Sequence, residues 1–118
     1  MLGYPWLEAT AIDVQGHSPN CTFTGIGCDP KRYEPYLPVR AVIAAMPPTF
    51  LYHTSSDPVV GADGVLRFYT ALRAKGVPAE MHVFAFGEHG TGLGGADPAL
   101  AGWPELMEHW PRARGVVR

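Results

Sequence analysis

A strand, a helix and a second strand written in succession between Thr49 and Phe86 constrain this chain more than anything else in it. Thr49-Phe50-Leu51-Tyr52-His53 is a short run of β-favouring residues launched by Pro47-Pro48, and residues of that kind fit a buried, pleated surface. Behind Asp63 and Gly64, the residues Val65, Phe68, Tyr69 and Leu72 fall at i, i+3, i+4 and i+7. That spacing draws one apolar stripe down a helix, with Arg67 and Arg73 facing away. Lys75 supplies a cationic last turn, Gly76 a C′ glycine, and Pro78 forbids continuation. Met81-His82-Val83-Phe84-Ala85-Phe86 follows, apolar on both faces apart from His82, which predicts a strand covered on both sides of a parallel sheet. A strand, helix and strand of this size make one βαβ unit, and such crossovers are right-handed in nearly all cases.

The flanks are less regular. Asp97-Pro98 is placed to cap a further helical start, and Trp103, Leu106, Met107 and Trp110 sit at helical spacing before Pro111, which is expected to end the turn. Periodicity favours core packing for these tryptophans over an aromatic binding platform. Ahead of the βαβ pattern, residues 1–46 are loop-rich, with a strand expected near Thr10-Ala11-Ile12-Asp13-Val14, a loop from Gly16 to Asp29 and a short helical turn around Pro30 to Tyr36. One domain over residues 1–118 is the simplest division, with a βαβα unit in 47–118.

Composition excludes several classes. With 47% hydrophobic and 11% aromatic residues the chain has the means to pack a core. A formal net charge of −2 and nine scattered Lys and Arg residues leave no basic stripe for nucleic acid. The start, Met1-Leu2-Gly3-Tyr4-Pro5-Trp6, has no positive leader region, and no apolar run reaches the roughly 18 residues that span a bilayer. The expectation is a soluble, cytoplasmic protein. Cys21 and Cys28 then read as free thiols in a reducing compartment, since His17, Cys21 and Cys28 form no recognised ligand spacing. Neither a metal nor a cofactor is expected.

Chemistry in an open parallel sheet gathers at the carboxyl ends of its strands. The first strand runs into Ser55-Ser56-Asp57-Pro58 and the second into Gly87-Glu88-His89-Gly90, so a carboxylate and an imidazole leave neighbouring strand ends on the same side. An Asp that accepts a hydrogen bond from one ring nitrogen fixes the His tautomer and stabilises the imidazolium formed at the other. Gly87 and Gly90 suit a backbone that bends sharply around an accessible ring. Taken alone, a capping Asp and an unrelated surface His fit this spacing as well. His53 and His82 lie within strands and read as satisfied core or edge histidines, and Glu88 as an exposed loop acid.

The runs Pro47-Pro48-Thr49-Phe50-Leu51-Tyr52-His53-Thr54, Asp57-Pro58-Val59-Val60, Leu66 through Pro78, His82-Val83-Phe84 and Gly87-Glu88-His89-Gly90 resemble the C-terminal third of α/β-hydrolase esterases. The likeness is nearest to the acetyl esterase and acetylxylan esterase-like branch, with dienelactone hydrolases and the prolyl oligopeptidase catalytic domain further off. Trp103-Pro104-Glu105-Leu106 through Trp110 is similar to that family's final helix. The resemblance implies a truncated α/β-hydrolase fold, a small and mostly parallel sheet flanked by helices. It also implies that Asp57 is the acid and His89 the base of a triad in a carboxylic-ester hydrolase for short acyl groups, with a small-molecule ester as partner.

The family's nucleophile elbow and oxyanion loop belong upstream, and neither Gly-x-Ser-x-Gly nor His-Gly-Gly occurs in the 118 residues. Three repairs stand open. Ser18, in Gly16-His17-Ser18-Pro19-Asn20, is a near miss to the elbow, and the order Ser18, Asp57, His89 matches the family's; Ser55 and Ser56 fit better as turn residues. Alternatively the Asp57 and His89 dyad activates water directly. Otherwise a complementing chain carries the missing half, or the unpaired sheet edges drive homo-oligomerisation. Two rivals accompany the esterase reading: a non-catalytic binding or assembly module, and a hydrolase using Cys21 or Cys28 as nucleophile.

Overall fold

A computed structural model describes residues 1–5, 7, 30–95 and 97–115. Its elements run β1 (Leu2–Gly3), α1 (Pro30–Tyr33) with two 3₁₀ turns behind it (Glu34–Tyr36 and Pro38–Ala41), β2 (Thr49–Thr54), α2 (Asp63–Ala74), β3 (Ala79–Phe84) and α3 (Trp103–Ala113). The expected strand at Thr10–Val14 and the loop from Gly16 to Asp29 lie outside the described residues.

The three strands form one parallel sheet in the order β1-β2-β3. Six pairs from Thr49↔Ala79 to Thr54↔Phe84 register β2 on β3, and Leu2↔Leu51 with Gly3↔Tyr52 register β1 on β2. β2 is therefore central, and every residue from Phe50 to Thr54 is buried. Because side chains alternate along a strand, β2 serves two cores. Leu51 packs with Val65, Phe68, Leu72 and Val77 on the α2 side, whereas Phe50 and Tyr52 pack with Trp103 and Trp110 on the α3 side. Complete burial of an aliphatic or aromatic side chain contributes about 1.5–3 kcal/mol, so this strand holds the fold's centre.

The stripe read from α2 is the one it buries, with Val65, Phe68 and Leu72 sequestered and Tyr69 packed at the margin. The helix begins two residues earlier than the pattern placed it, taking in Asp63 and Gly64, with Asp63 in its first turn, where a carboxylate interacts favourably with the helix dipole. Its end is a Schellman motif: Gly76, at φ 72°, donates to the carbonyl of Arg73 at 3.0 Å, and Val77 donates to Leu72 at 3.0 Å. Val77 and Leu72 also share the core, which is the apolar contact that accompanies this cap.

Three expectations need correction. β3 is Ala79–Phe84 and is only half-covered, with Val83 exposed and Phe86 beyond the strand 76% exposed. Among the described residues β3 pairs only with β2, so its side chains border solvent at the sheet margin. Pro111 does not end α3, which runs on to Ala113. A proline here loses its own N–H and crowds the carbonyl one turn earlier, yet the helix carries on for two more residues, with the Arg112–Glu108 ion pair spanning Pro111 at 2.7 Å. Asp97 caps a turn instead of that helix, accepting the Ala99 N–H at 2.8 Å. Trp103 and Trp110 are buried on the sheet while Leu106 is exposed. No helix among the described residues is long and apolar enough to cross a membrane.

Candidate active site

The parallel register of β2 and β3 delivers two loops to the same sheet end. Leaving β2, the backbone N–H of Ser55 donates to the carbonyl of Phe84 at 2.7 Å, which extends the ladder by one step before the chain turns at Ser56 and Asp57. The Asp57 side chain is fully buried. Its Oδ1 accepts the N–H groups of Val59 at 2.8 Å and Val60 at 2.9 Å, and its Oδ2 lies 2.8 Å from His89 Nδ1. The sequence placed this pair at adjacent strand ends; the structure brings it into hydrogen-bond contact.

Burial works against a charge on Asp57. The hydrogen bonds from Val60, His89 and Val59 outweigh it and hold the carboxyl below its ordinary value, because each favours the ionised form. An ionised Asp57 makes His89 Nδ1 the donor and leaves Nε2 as the nitrogen free to exchange a proton. The His89 side chain is 37% exposed, so that nitrogen belongs to a ring open to the outside while its partner carboxylate is dry.

The His89 loop is held from upstream at Gly87. Thr54 Oγ1 and Ser56 Oγ donate to the Gly87 carbonyl at 2.9 and 3.1 Å, and Ser56 Oγ accepts the Gly87 N–H at 3.0 Å. Ser56 thus shapes more than its own turn, since it clips the two loops together. At Gly87 φ is 144°, and a Cβ there would come within 2.7 Å of Thr54 Cγ2 and 3.1 Å of Leu100 Cδ1. Glycine is required by backbone conformation and by space at once.

Other candidates fall into place around this pair. His53 is fully buried with Nδ1 within 2.9 Å of Thr54 backbone atoms, but Nε2 has no hydrogen-bond partner among the described residues and lies 3.9 Å from Asp57 Oδ2. It is therefore only half satisfied. His82 Nε2 pairs with Glu80 Oε1 at 2.9 Å on β3, and Glu88 is exposed. Ser18, His17, Cys21 and Cys28 lie outside the described residues. Among the described residues no group of three or more His, Cys, Asp and Glu side chains could hold a metal ion.

Sequence reasoning missed a cluster of hydroxyls beside the loop. Tyr4, Tyr52 and Thr91 bring their oxygens together at 2.9, 2.5 and 2.6 Å. Next to it is a mostly apolar cleft of about 370 Å³, bordered by Gly3, Tyr4, Tyr52, Gly90, Leu93 and Trp103. No local pattern announces these contacts, because Tyr4 reaches Tyr52 only through the pairing of β1 with β2.

Residues 8–101 match the model of the prolyl oligopeptidase family. The chain belongs to that family. An acetyl ester-xyloside bifunctional hydrolase from Caldicellulosiruptor lactoaceticus superposes on 99% of this chain with a TM-score of 0.86 and 32% identity. A carboxylesterase from Lactobacillus plantarum WCFS1 does so over 99% with a TM-score of 0.76 and 27% identity. Family and neighbours alike make this an α/β-hydrolase fold. A further relative, endo-1,4-beta-xylanase B of Butyrivibrio fibrisolvens, is 36% identical over 74 residues, which are 60% of this chain. The chain spans 42% and 44% of the two hydrolase structures and 12% of the xylanase.

Proposed function

We propose that the chain carries the acid and base of a carboxylic-ester hydrolase for short-acyl esters, with Asp57 orienting and His89 transferring protons. The observation that carries this reading is the 2.8 Å bond between His89 Nδ1 and Asp57 Oδ2, made while Oδ1 is tied to two backbone N–H groups. Such an arrangement fixes the carboxylate in place before it fixes the ring, which is the preorganisation that proton transfer requires. The likeness to a carboxylesterase supports ester hydrolysis, and the likeness to an acetyl ester-xyloside bifunctional hydrolase supports acetate-sized acyl groups.

In this reading His89 Nε2 accepts the proton of the attacking hydroxyl as the new carbon–oxygen bond forms, then returns it to the departing alcohol. Where that hydroxyl is a serine's, water then attacks the acyl-serine with His89 again taking its proton, and the acid leaves as the proton returns to the serine oxygen. Asp57 stays ionised throughout and stabilises the imidazolium between each pair of transfers. The attacking group is a serine hydroxyl, for which Ser18 is this chain's own candidate by its order before Asp57 and His89. Water takes that place if Ser18 does not, at a more modest rate.

Trapping the chain with an organophosphate and locating the adduct by mass spectrometry tests the proposal. An adduct at Ser18 whose formation is slowed by His89→Ala supports a triad, and His89-dependent turnover with no adduct supports activation of water. A chain with neither adduct nor turnover is an assembly or binding module, and the esterase reading fails.

A further inference from the structure

We infer that Tyr4, Tyr52 and Thr91 form a closed ring of hydroxyls that positions His89 by tying down the downstream side of its loop. This rests on the reading of His89 as the proton-transfer group. The loop is short of stiffness by composition, since Gly87, Gly90, Gly92 and Gly94 all have positive φ, and glycine backbones have the most freedom to lose. Upstream of His89 that freedom is removed at Gly87 by Thr54 and Ser56. Downstream, an equivalent restraint falls at Thr91, two residues past the imidazole.

Thr91 Oγ1 lies 2.5 Å from the Tyr4 hydroxyl and 2.6 Å from that of Tyr52, and the two phenols are 2.9 Å apart. Three hydroxyls have three protons, and a triangle has three edges. Each oxygen can therefore donate once and accept once, which leaves no hydroxyl unmet. Tyr52 is 1% exposed, and burial pushes its phenol up to about 12, so Tyr52 keeps its proton, and with it one donor of the ring, at neutral pH.

Tyr4 holds the ring at a conformational cost. It is the non-glycine residue with positive φ among those described, at 48°, a left-handed conformation that L side chains adopt only when their surroundings enforce it. Its N–H still bonds the Tyr52 carbonyl at 3.2 Å, as though β1 ran one step further. The turned backbone lays the Tyr4 ring edgewise against His89, with centroids 5.4 Å apart at 67°, and against Tyr52 at 5.1 Å and 83°. The imidazole thus meets Asp57 at one nitrogen and a tyrosine at its flank, between two loop anchors. Tyr4, Tyr52 and Thr91 are positioning residues; none is required to touch substrate.

The test compares the full chain with Thr91→Val, Thr91→Ser and Tyr4→Phe by two readouts: the His89 Nδ1 proton in long-range ¹H–¹⁵N spectra, and kcat with KM on an acetate ester. Thr91→Val and Tyr4→Phe are expected to broaden or abolish the Nδ1 signal and lower kcat roughly ten- to hundredfold with little change in KM, the signature of a misplaced group. Thr91→Ser restores the third hydroxyl and is expected to recover both. The inference is overturned if Thr91→Val and Tyr4→Phe keep the wild-type signal, or if Thr91→Ser behaves as Thr91→Val does. Should the wild-type chain turn over no ester, the esterase reading fails by itself, and the spectra still decide whether the hydroxyl ring orders His89.

Discussion

His89 Nδ1 stands 2.8 Å from Asp57 Oδ2, and the opposite oxygen of the same carboxylate receives two backbone N–H groups, from Val59 and Val60. The acid is thus fixed by its own turn before it meets the imidazole, and its two oxygens have separable jobs. Oδ1 maintains the loop; Oδ2 maintains the base.

That division predicts different outcomes at one position. Asp57→Asn keeps an oxygen for the Val59 and Val60 N–H groups but presents an amide donor to His89, which moves the ring proton to Nε2 and removes the base. Turnover is expected to fall about 10³- to 10⁴-fold, with a loss of Tm limited to what the charge of Asp57 contributes and smaller than that of Asp57→Ala. Asp57→Ala strands both N–H groups and is expected to cost about 1–3 kcal/mol for each. Similar denaturation midpoints for the two variants would contradict the division.

The carboxyl of Asp57 lies below its ordinary value in the folded chain. A group whose folded pKa is depressed contributes stability above the unfolded pKa, and that contribution is lost as pH falls through the folded value. The Tm advantage of wild type over Asp57→Asn is therefore expected to be full at neutral pH and to shrink from about pH 4 downward. Melting curves across that interval check it; parallel curves for the two proteins would refute it.

Gly87→Ala introduces a Cβ 2.7 Å from Thr54 Cγ2 at a φ of 144°. The clash and the strain together are expected to destabilise the fold by about 1–3 kcal/mol and to shift the His89 loop enough to lower kcat. Denaturant titration measures the first effect. A midpoint unchanged from wild type would show that the loop yields easily.

Leu72 is fully buried between α2 and β2, away from the Asp57 and His89 pair. Leu72→Ala is expected to cost about 2–5 kcal/mol through the cavity it leaves, while kcat measured well below the new Tm stays near wild type. A proportionate loss of kcat would tie this core to the site.

How much of this was legible beforehand depends on the range of the contacts involved. The β2, α2 and β3 succession could be read because each side chain answers to one environment at a fixed period, and the Schellman end of α2 because Gly76 and Pro78 state it locally. Asp57 and His89 could be paired because two parallel strands put their carboxyl ends side by side. β1 could not, since Leu2–Gly3 is too short to show a period. With β1 went Tyr4, whose partners Tyr52 and Thr91 lie 48 and 87 positions away. The half-exposure of β3 and the passage of α3 through Pro111 escaped for a related reason. A strand's neighbours and a helix's packing are properties of the assembled fold, and apolar composition alone does not record them.

The claim that His89 is a working base is tested most directly by hydrolysis of a chromogenic acetate ester, comparing the purified chain with His89→Ala under identical conditions. If Asp57 and His89 act as described, the substitution lowers kcat/KM by roughly 10²- to 10⁴-fold. Equal rates for the two proteins would mean that the pair, however well arranged, takes no part in ester hydrolysis.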